Sequence, residues 1–297
     1  MSNFDDIFAP QADTQPQELP PQESKQEWAE RRKQEREAVY AMVDTTTERM
    51  AVNGEVFQDY LDVQARFDRY SVRNAILITA QNKDATKLAS FDDWKADNIS
   101  IKKGAKGISI MVPDEYRRKD STPATGFAIG KVFDIAQTTA VATSRSISHD
   151  PRRLLETLVR NAPCPIEIRN DGQIEHVARF DTQSRKIYVR QGMEADALFR
   201  SIAQEIAVAE FARGHHKRSE CEFDAYCVSY ILCKRFGVST DAYRFDKLPE
   251  KLSRQETKAT ITQLKEIRDT ANKISDGMHQ MLDAKQKAPK ARSEESR

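Results

Sequence analysis

The chain has 297 residues, enough for one or two domains. Its 47 basic and 46 acidic residues leave a formal net charge of +1, so no global field draws it to nucleic acid, and any such surface has to come from local clustering. No apolar run approaches the ~18 residues of a membrane span. The acidic start lacks the basic and apolar regions of a secretory signal. Charged residues at 31% and a mean hydropathy of −0.70 fit solvated tails and long exposed helices. Cys164, Cys221, Cys227 and Cys233 form no CxxC or Cys/His zinc spacing, and read as reduced thiols in a cytoplasmic protein.

Residues 1–26 carry Pro10, Pro16, Pro20, Pro21, many glutamines and a net negative charge, the composition of a disordered tail. A helix is expected from Glu27 to about Val52, with an apolar stripe of Val39, Met42, Val43 and Met50, and with Arg31-Arg32-Lys33 near its start. Asn53-Gly54 breaks it. A second helix is expected from about Glu55 to Gln81, burying Val56, Tyr60, Val63, Phe67 and Tyr70 on one face. Arg66, Arg69 and Arg73 recur on an adjacent face, either as a cationic ridge that follows phosphates or as a solvated face with Asp62 paired to Arg66.

A short helix is expected over Ser90 to Asn98, with Ser90 as N-cap and Asp93 completing a capping box. It carries Phe91 and Trp94, a pair that suits either core packing or base stacking. The turn Lys102-Lys103-Gly104-Ala105-Lys106-Gly107 follows, with both glycines at positions needing unusual backbone angles. Strand-like runs come next at Ile108 to Val112 and at 126–136, around an exposed tip from Pro113 to Ala124 that carries Tyr116 and Arg117-Arg118-Lys119. Between Ile101 and Lys131 there are seven basic and three acidic residues, the best local case for a phosphate surface. Aromatics and lysines on a small sheet suit single-stranded nucleic acid, because rings stack on bases and cations track phosphates.

Four features of this stretch, in order, resemble the N-terminal domain of the ArdC-type anti-restriction proteins of conjugative plasmids and transposons. They are Asn74 with the apolar run Ala75-Ile76-Leu77-Ile78, the Phe91…Trp94 pair, the KKGAKGISI segment, and VFDIAQT at 132–138. The resemblance implies single-stranded-DNA binding. The residues expected to contact DNA are Arg66, Arg69, Tyr70, Arg73, Asn74, Phe91, Trp94, Lys102, Lys103, Lys106, Tyr116 and Lys131.

Residues 140–150 read as an interdomain linker. The second half opens with a helix from Pro151 to about Asn161, then a strand at Ile166 to Arg169 and a hairpin of His176 to Phe180 with Lys186 to Arg190. A helix from about Glu194 to Arg213 buries Phe199, Ile202, Ile206 and Ala209. Another runs from about Ser219 to Phe236, stopped by Gly237. From Ser253 to about Lys287 one long helix is expected, capped by Ser253 and Glu256. Its seam of Leu264, Ile267, Ala271, Ile274, Met278 and Met281 either packs back on the body or pairs two copies. Ala284 to Arg297 reads as a basic disordered tail.

A short sheet, a helix and a second helix with acids near its start resemble a zincin metallopeptidase, whose first helix carries HExxH. The aligned pentapeptide here is Gln204-Glu205-Ile206-Ala207-Val208. Glutamate stands where water is activated, but glutamine and valine stand at the two ligand positions, and neither suits zinc. His215 and His216 lie past the expected ligand face. No catalytic residue, metal or cofactor is assigned.

The expected fold is α+β. A disordered tail at 1–26 precedes N-terminal helices with a small antiparallel sheet at 27–139, the single-stranded-DNA-binding domain. After the linker comes a degenerate zincin-like domain at 151–252, then a long helix at 253–287 and a tail at 288–297. The expected function is sequence-tolerant single-stranded-DNA binding for a bacterial mobile element of anti-restriction type, as a monomer or weak homodimer. One alternative is a protein-interaction module that docks a partner through its C-terminal domain or helix. Another is a zinc metallopeptidase with rearranged ligands.

Overall fold

A computed structural model describes residues 24–117, 122–140, 150–169 and 175–287. The expected N-terminal tail up to residue 23, Arg118 and Lys119 of the tip, residues 141–149 of the linker and the tail from residue 288 lie outside the described residues. Of Tyr116 and Arg117 only the backbone is described.

Helix α1 (Lys25–Val52) opens on a capping box between Ser24 and Glu27 and buries Val39, Val43 and Met50. Asn53 is more than a break. Its side chain accepts from the N–H groups of Glu55 and Val56 at 3.0 and 3.1 Å, capping α2 (Gly54–Arg66).

The helix expected over Glu55 to Gln81 is two helices. Phe67, at φ −115° and ψ 63°, ends α2, and Ser71 caps α3 (Val72–Asn82) by accepting from the Asn74 N–H at 3.2 Å. Gln64, fully buried, ties the turn by donating to the carbonyls of Phe67 and Tyr70 at 3.0 and 3.4 Å. That turn separates Arg66 from Arg73 and breaks the continuous helical ridge on which both were placed.

The first sheet has the order β1-β3-β2 and is antiparallel. Its strands are β1 (Leu88–Ser90), β2 (Ile108–Arg117) and β3 (Pro123–Asp134). β2 and β3 run further into the expected tip than the sequence suggested, pairing from Ile108↔Val132 out to Arg117↔Pro123. Between β1 and β2 lies α4 (Phe91–Ala96), which has the expected Ser90–Asp93 capping box. Gly104 takes the left-handed conformation at φ 83°, but Gly107 does not. Gly107 is there for space, since a Cβ would come within 3.0 Å of the Phe133 ring and 3.1 Å of the Lys131 Cβ.

The second half follows its expected order. Helix α5 (Pro151–Arg160) precedes β4 (Ile166–Arg169), β5 (Ala178–Asp181) and β6 (Lys186–Arg190), a sheet ordered β4-β6-β5 in which β4 runs parallel to β6. Helices α6 (Ala195–Arg213) and α7 (Arg218–Phe236) pack together, and Gly237 ends α7 at φ 69°. The long terminal helix starts later than expected. Ser253 lies inside a short α8 (Glu250–Arg254), donating its hydroxyl to the Glu250 carbonyl at 2.9 Å, and α9 spans Thr257–Lys287. The α9 seam is buried against α7, α5, α1 and α3 of the same chain, with Leu282 rather than Met281 as its last buried member.

The two halves share a core. Phe57 of α2 stacks on Phe223 of α7 and on Phe245, with ring centroids 5.5 and 5.9 Å apart. The Tyr230 hydroxyl of α7 donates to Asp62 at 2.7 Å, and Lys234 pairs with the same carboxylate at 3.0 Å. Asp62 therefore serves α7 and not Arg66. Cys221, Cys227 and Cys233 lie in this core as free thiols, where burial pushes each thiol up from its ordinary range.

Candidate nucleic-acid interface and the pentapeptide of the sixth helix

Asn74 and Gln81 lie seven residues apart on α3, two turns along one face. Each grips the outer edge of β2 with both ends of its amide. The Asn74 side chain donates to the Met111 carbonyl and accepts from the Met111 N–H, both at 2.8 Å. Gln81 does the same at Ser109, at 2.9 and 2.8 Å. The two amides stand in for a fourth strand and close an edge that would otherwise offer unpaired backbone. Asn74 is buried, and its amide is committed to Met111 rather than turned to a nucleic acid. Trp94 is also inside: it is fully buried and its indole N–H donates to the Phe133 carbonyl at 2.9 Å. Phe91, one turn before it, is exposed beside the Ser90↔Val132 pair.

The lysine turn is pinned to the base of this sheet. The Lys102 N–H donates to the Gln137 carbonyl at 2.8 Å, and the Gln137 amide donates to the Lys106 carbonyl at 2.9 Å. Gly107 brings the turn directly against Lys131 and Phe133. Lys102, Lys103 and Lys106 are exposed, and the Lys102 ammonium donates to the Ala136 carbonyl at 2.9 Å.

From Lys131 a chain of contacts crosses to α1. The Lys131 ammonium donates to the Ser109 hydroxyl at 2.6 Å and lies 3.4 Å from the Glu35 carboxylate. Glu35 also holds Arg32 at 3.2 Å, and the Arg32 guanidinium stands 5.9 Å from the centre of the Trp28 ring. Trp28 is 52% exposed. Phe127, 56% exposed, lies four residues from Lys131 on the same face of β3, about 13 Å along the strand. Lys131, Arg32 and Trp28 are thus linked through Glu35, with Phe127 exposed further along β3 and the lysine turn at the base of the sheet.

Arg66, Arg69, Tyr70 and Arg73 lie on α2, on α3 and in the turn between them. Arg66 donates to the carbonyls of Ala85, at 3.1 Å, and Lys83, closing the turn after α3. Arg69 pairs with Asp276 of α9 at 3.0 Å and with Asp68 at 3.5 Å. Tyr70 is half-buried, edge-on to Phe67 at 5.6 Å, and burial pushes its phenol up. Arg73 is exposed on α3. The tip that carries Tyr116 is described only by its backbone.

On α6, Glu205 is buried under the hairpin of the second sheet. One oxygen accepts from the Phe180 N–H at 2.7 Å. The Arg218 guanidinium lies across both oxygens, donating to Oε1 at 3.2 Å and more closely to Oε2, and also donates to the Phe180 carbonyl at 3.4 Å. Val208 is buried, and His215 and His216 are exposed in the turn after α6.

Residues 25–144 match the family model for the N-terminal domain of anti-restriction factor ArdC. The chain carries an ArdC-type N-terminal domain. Both the α3–β2 latch and the exposed cations and rings around the first sheet fall inside it. Among solved structures, the chain resembles the antirestriction ArdC protein from the R388 plasmid. Its Mn(II)-bound form is 12% identical over 80% of this chain and 98% of that one, with a TM-score of 0.56. The metal-free form is 13% identical over 71% and 86%, with a TM-score of 0.50. At such identities the likeness concerns the fold, and it extends past the ArdC-type domain into the second half. No curated protein matches the chain.

The residues of the α6 pentapeptide do not fit a divalent metal. Valine has no donor atom, a neutral amide is a weak one, and the glutamate is already held by a guanidinium. No group of three or more His, Cys, Asp or Glu able to hold a metal is found among the described residues.

Trp28 and Phe127 were not singled out from the sequence. Trp28 sits in a helix whose apolar members read as core, and its distance of seven residues from Glu35 marks it only once Glu35 is known to reach β3. Phe127 was legible in principle, since odd positions of β3 alternate outward with Lys131.

Proposed function

We propose that the chain binds single-stranded DNA through the ArdC-type domain and serves an anti-restriction role for a mobile element, shielding DNA that enters the cytoplasm as a single strand. The observation that supports this reading is the set of exposed cations and rings around the first sheet: Lys102, Lys103 and Lys106 at its base, Lys131 and Phe127 on β3, and Arg32 and Trp28 reached through Glu35. Exposed rings give stacking that tolerates any base, and the cations follow the backbone. Stacking on rings and contacts to phosphates carry no base-edge readout, so sequence preference is not expected. The near-zero net charge makes these cations, rather than the whole molecule, responsible for affinity.

Intrinsic fluorescence tests it. The chain has two tryptophans, of which Trp94 is fully buried and Trp28 is exposed. Adding a single-stranded oligonucleotide should quench the Trp28 emission, and Trp28→Phe should abolish the quenching while the Trp94 emission stays constant. Saturating binding, established by a separate label, with no change in Trp28 emission would remove Trp28 from the surface. No binding at low salt would remove the function.

A further inference from the structure

The second half shares a fold with a protein crystallised both metal-free and with Mn(II), yet the α6 pentapeptide offers no donor set for such an ion. We infer that Arg218 supplies, from within the chain, the positive charge that a divalent cation would bring to this helix face, so that the second half is closed around Glu205 without metal.

Three observations support it. First, Arg218 is the first residue of α7, where the helix dipole disfavours a cation, so its position needs a partner; Glu205 is the close one, with the exposed Glu222 further off at 3.9 Å. Second, the contact is two-pronged: the guanidinium reaches both carboxylate oxygens and the Phe180 carbonyl, while the Phe180 N–H takes a further site on Oε2. The carboxylate that would activate water in an HExxH helix is thus occupied. Third, the pair is sequestered, with side-chain exposures of 16% for Arg218 and 7% for Glu205, so it is little screened by solvent. It joins β5, α6 and α7. The turn between α6 and α7, with His215 at φ 67°, delivers Arg218 to this point.

The test is calorimetric titration with MnCl2, and separately ZnCl2, of the full chain and designed variants, with melting temperatures read in parallel. Wild type should show no stoichiometric heat and no metal-dependent rise in melting temperature. Gln204→His with Val208→His places imidazoles at both ligand positions but should bind weakly, because the Arg218 guanidinium beside Glu205 repels a cation at this helix face. Adding Arg218→Ala to that pair should tighten metal binding at least about tenfold and give a metal-dependent rise in melting temperature. Stoichiometric binding by wild type, lost in Glu205→Gln, would overturn the inference. So would equal affinity of the double and triple variants. If the triple variant does not fold, Glu205→Gln, Arg218→Met and their combination decide. The combination should melt no lower than the worse single variant, and additive losses would overturn the pairing. These readouts are independent of DNA binding.

Discussion

Replacing Asn74 by alanine separates a structural role from a DNA-contacting one. The substitution deletes two hydrogen bonds of 2.8 Å and leaves the Met111 N–H and carbonyl without partners at a residue that is 6% exposed. Each buried unsatisfied backbone group costs about 1–3 kcal/mol. Partial entry of water at the edge of β2 lowers the sum, so the expected loss is about 2–4 kcal/mol, a large share of a typical domain stability of about 5–15 kcal/mol. Gln81 repeats the arrangement at Ser109, which keeps the edge from opening entirely. Urea denaturation followed by far-ultraviolet circular dichroism should show the midpoint falling with the slope unchanged. Affinity for single-stranded DNA, measured well below the midpoint, should stay within twofold of wild type. A variant as stable as wild type that has lost DNA affinity would refute the latch and return Asn74 to the interface.

Other perturbations follow from the same geometry. Gly54→Ala would place a Cβ 1.7 Å from the Phe245 carbonyl oxygen, forcing the start of α2 away from that loop; a loss of about 1–3 kcal/mol is expected, and an unchanged denaturation midpoint would contradict it. Asp224 of α7 is buried beside Gln263, which donates to it at 2.5 Å, and desolvation raises its carboxyl to about 6. The Gln263 bond, Lys251 and His216 oppose that rise, and Glu266 adds to it. A carboxyl raised on folding favours the folded state when protonated, so its contribution is lost as pH rises from about 4 to about 6. Asp224→Asn should therefore be more stable than wild type at neutral pH by on the order of 1–3 kcal/mol, with the advantage gone near pH 4. Melting curves across that range check the sign.

Much of the second half was legible because punctuation residues mark its elements. Pro151 opens α5, Gly214 and Gly237 end α6 and α7, and the Asp181–Ser184 turn joins β5 to β6. The break between α2 and α3 was not legible, because no glycine or proline marks it. The apolar spacing runs on through Phe67 and Tyr70, and the turn is fixed instead by Gln64, buried by tertiary packing. The burial of Asn74 and Trp94 was hidden for a related reason. Their partners, Met111 and Phe133, lie 37 and 39 residues away, beyond any local pattern. The lysine turn was found from composition, but its companions on α1 were not, since the link runs through Glu35, an acid that a search for basic clusters passes over. The Gln204–Val208 pentapeptide showed from the sequence that it lacks metal donors. That a cation of the chain's own had taken up Glu205 was visible only in the structure.

The most direct measurement is fluorescence anisotropy with labelled single-stranded and duplex oligonucleotides across a salt series, comparing wild type with a Lys102→Ala/Lys103→Ala/Lys106→Ala variant. We expect preference for the single strand, affinity that falls as salt rises, and a salt slope reduced by about 2 in the variant, the loss of three phosphate contacts at about 0.7 each. Equal, negligible binding of both DNAs at low salt, or an unchanged slope in the variant, would contradict the assignment of the ArdC-type domain's exposed cations and rings as a single-stranded-DNA surface.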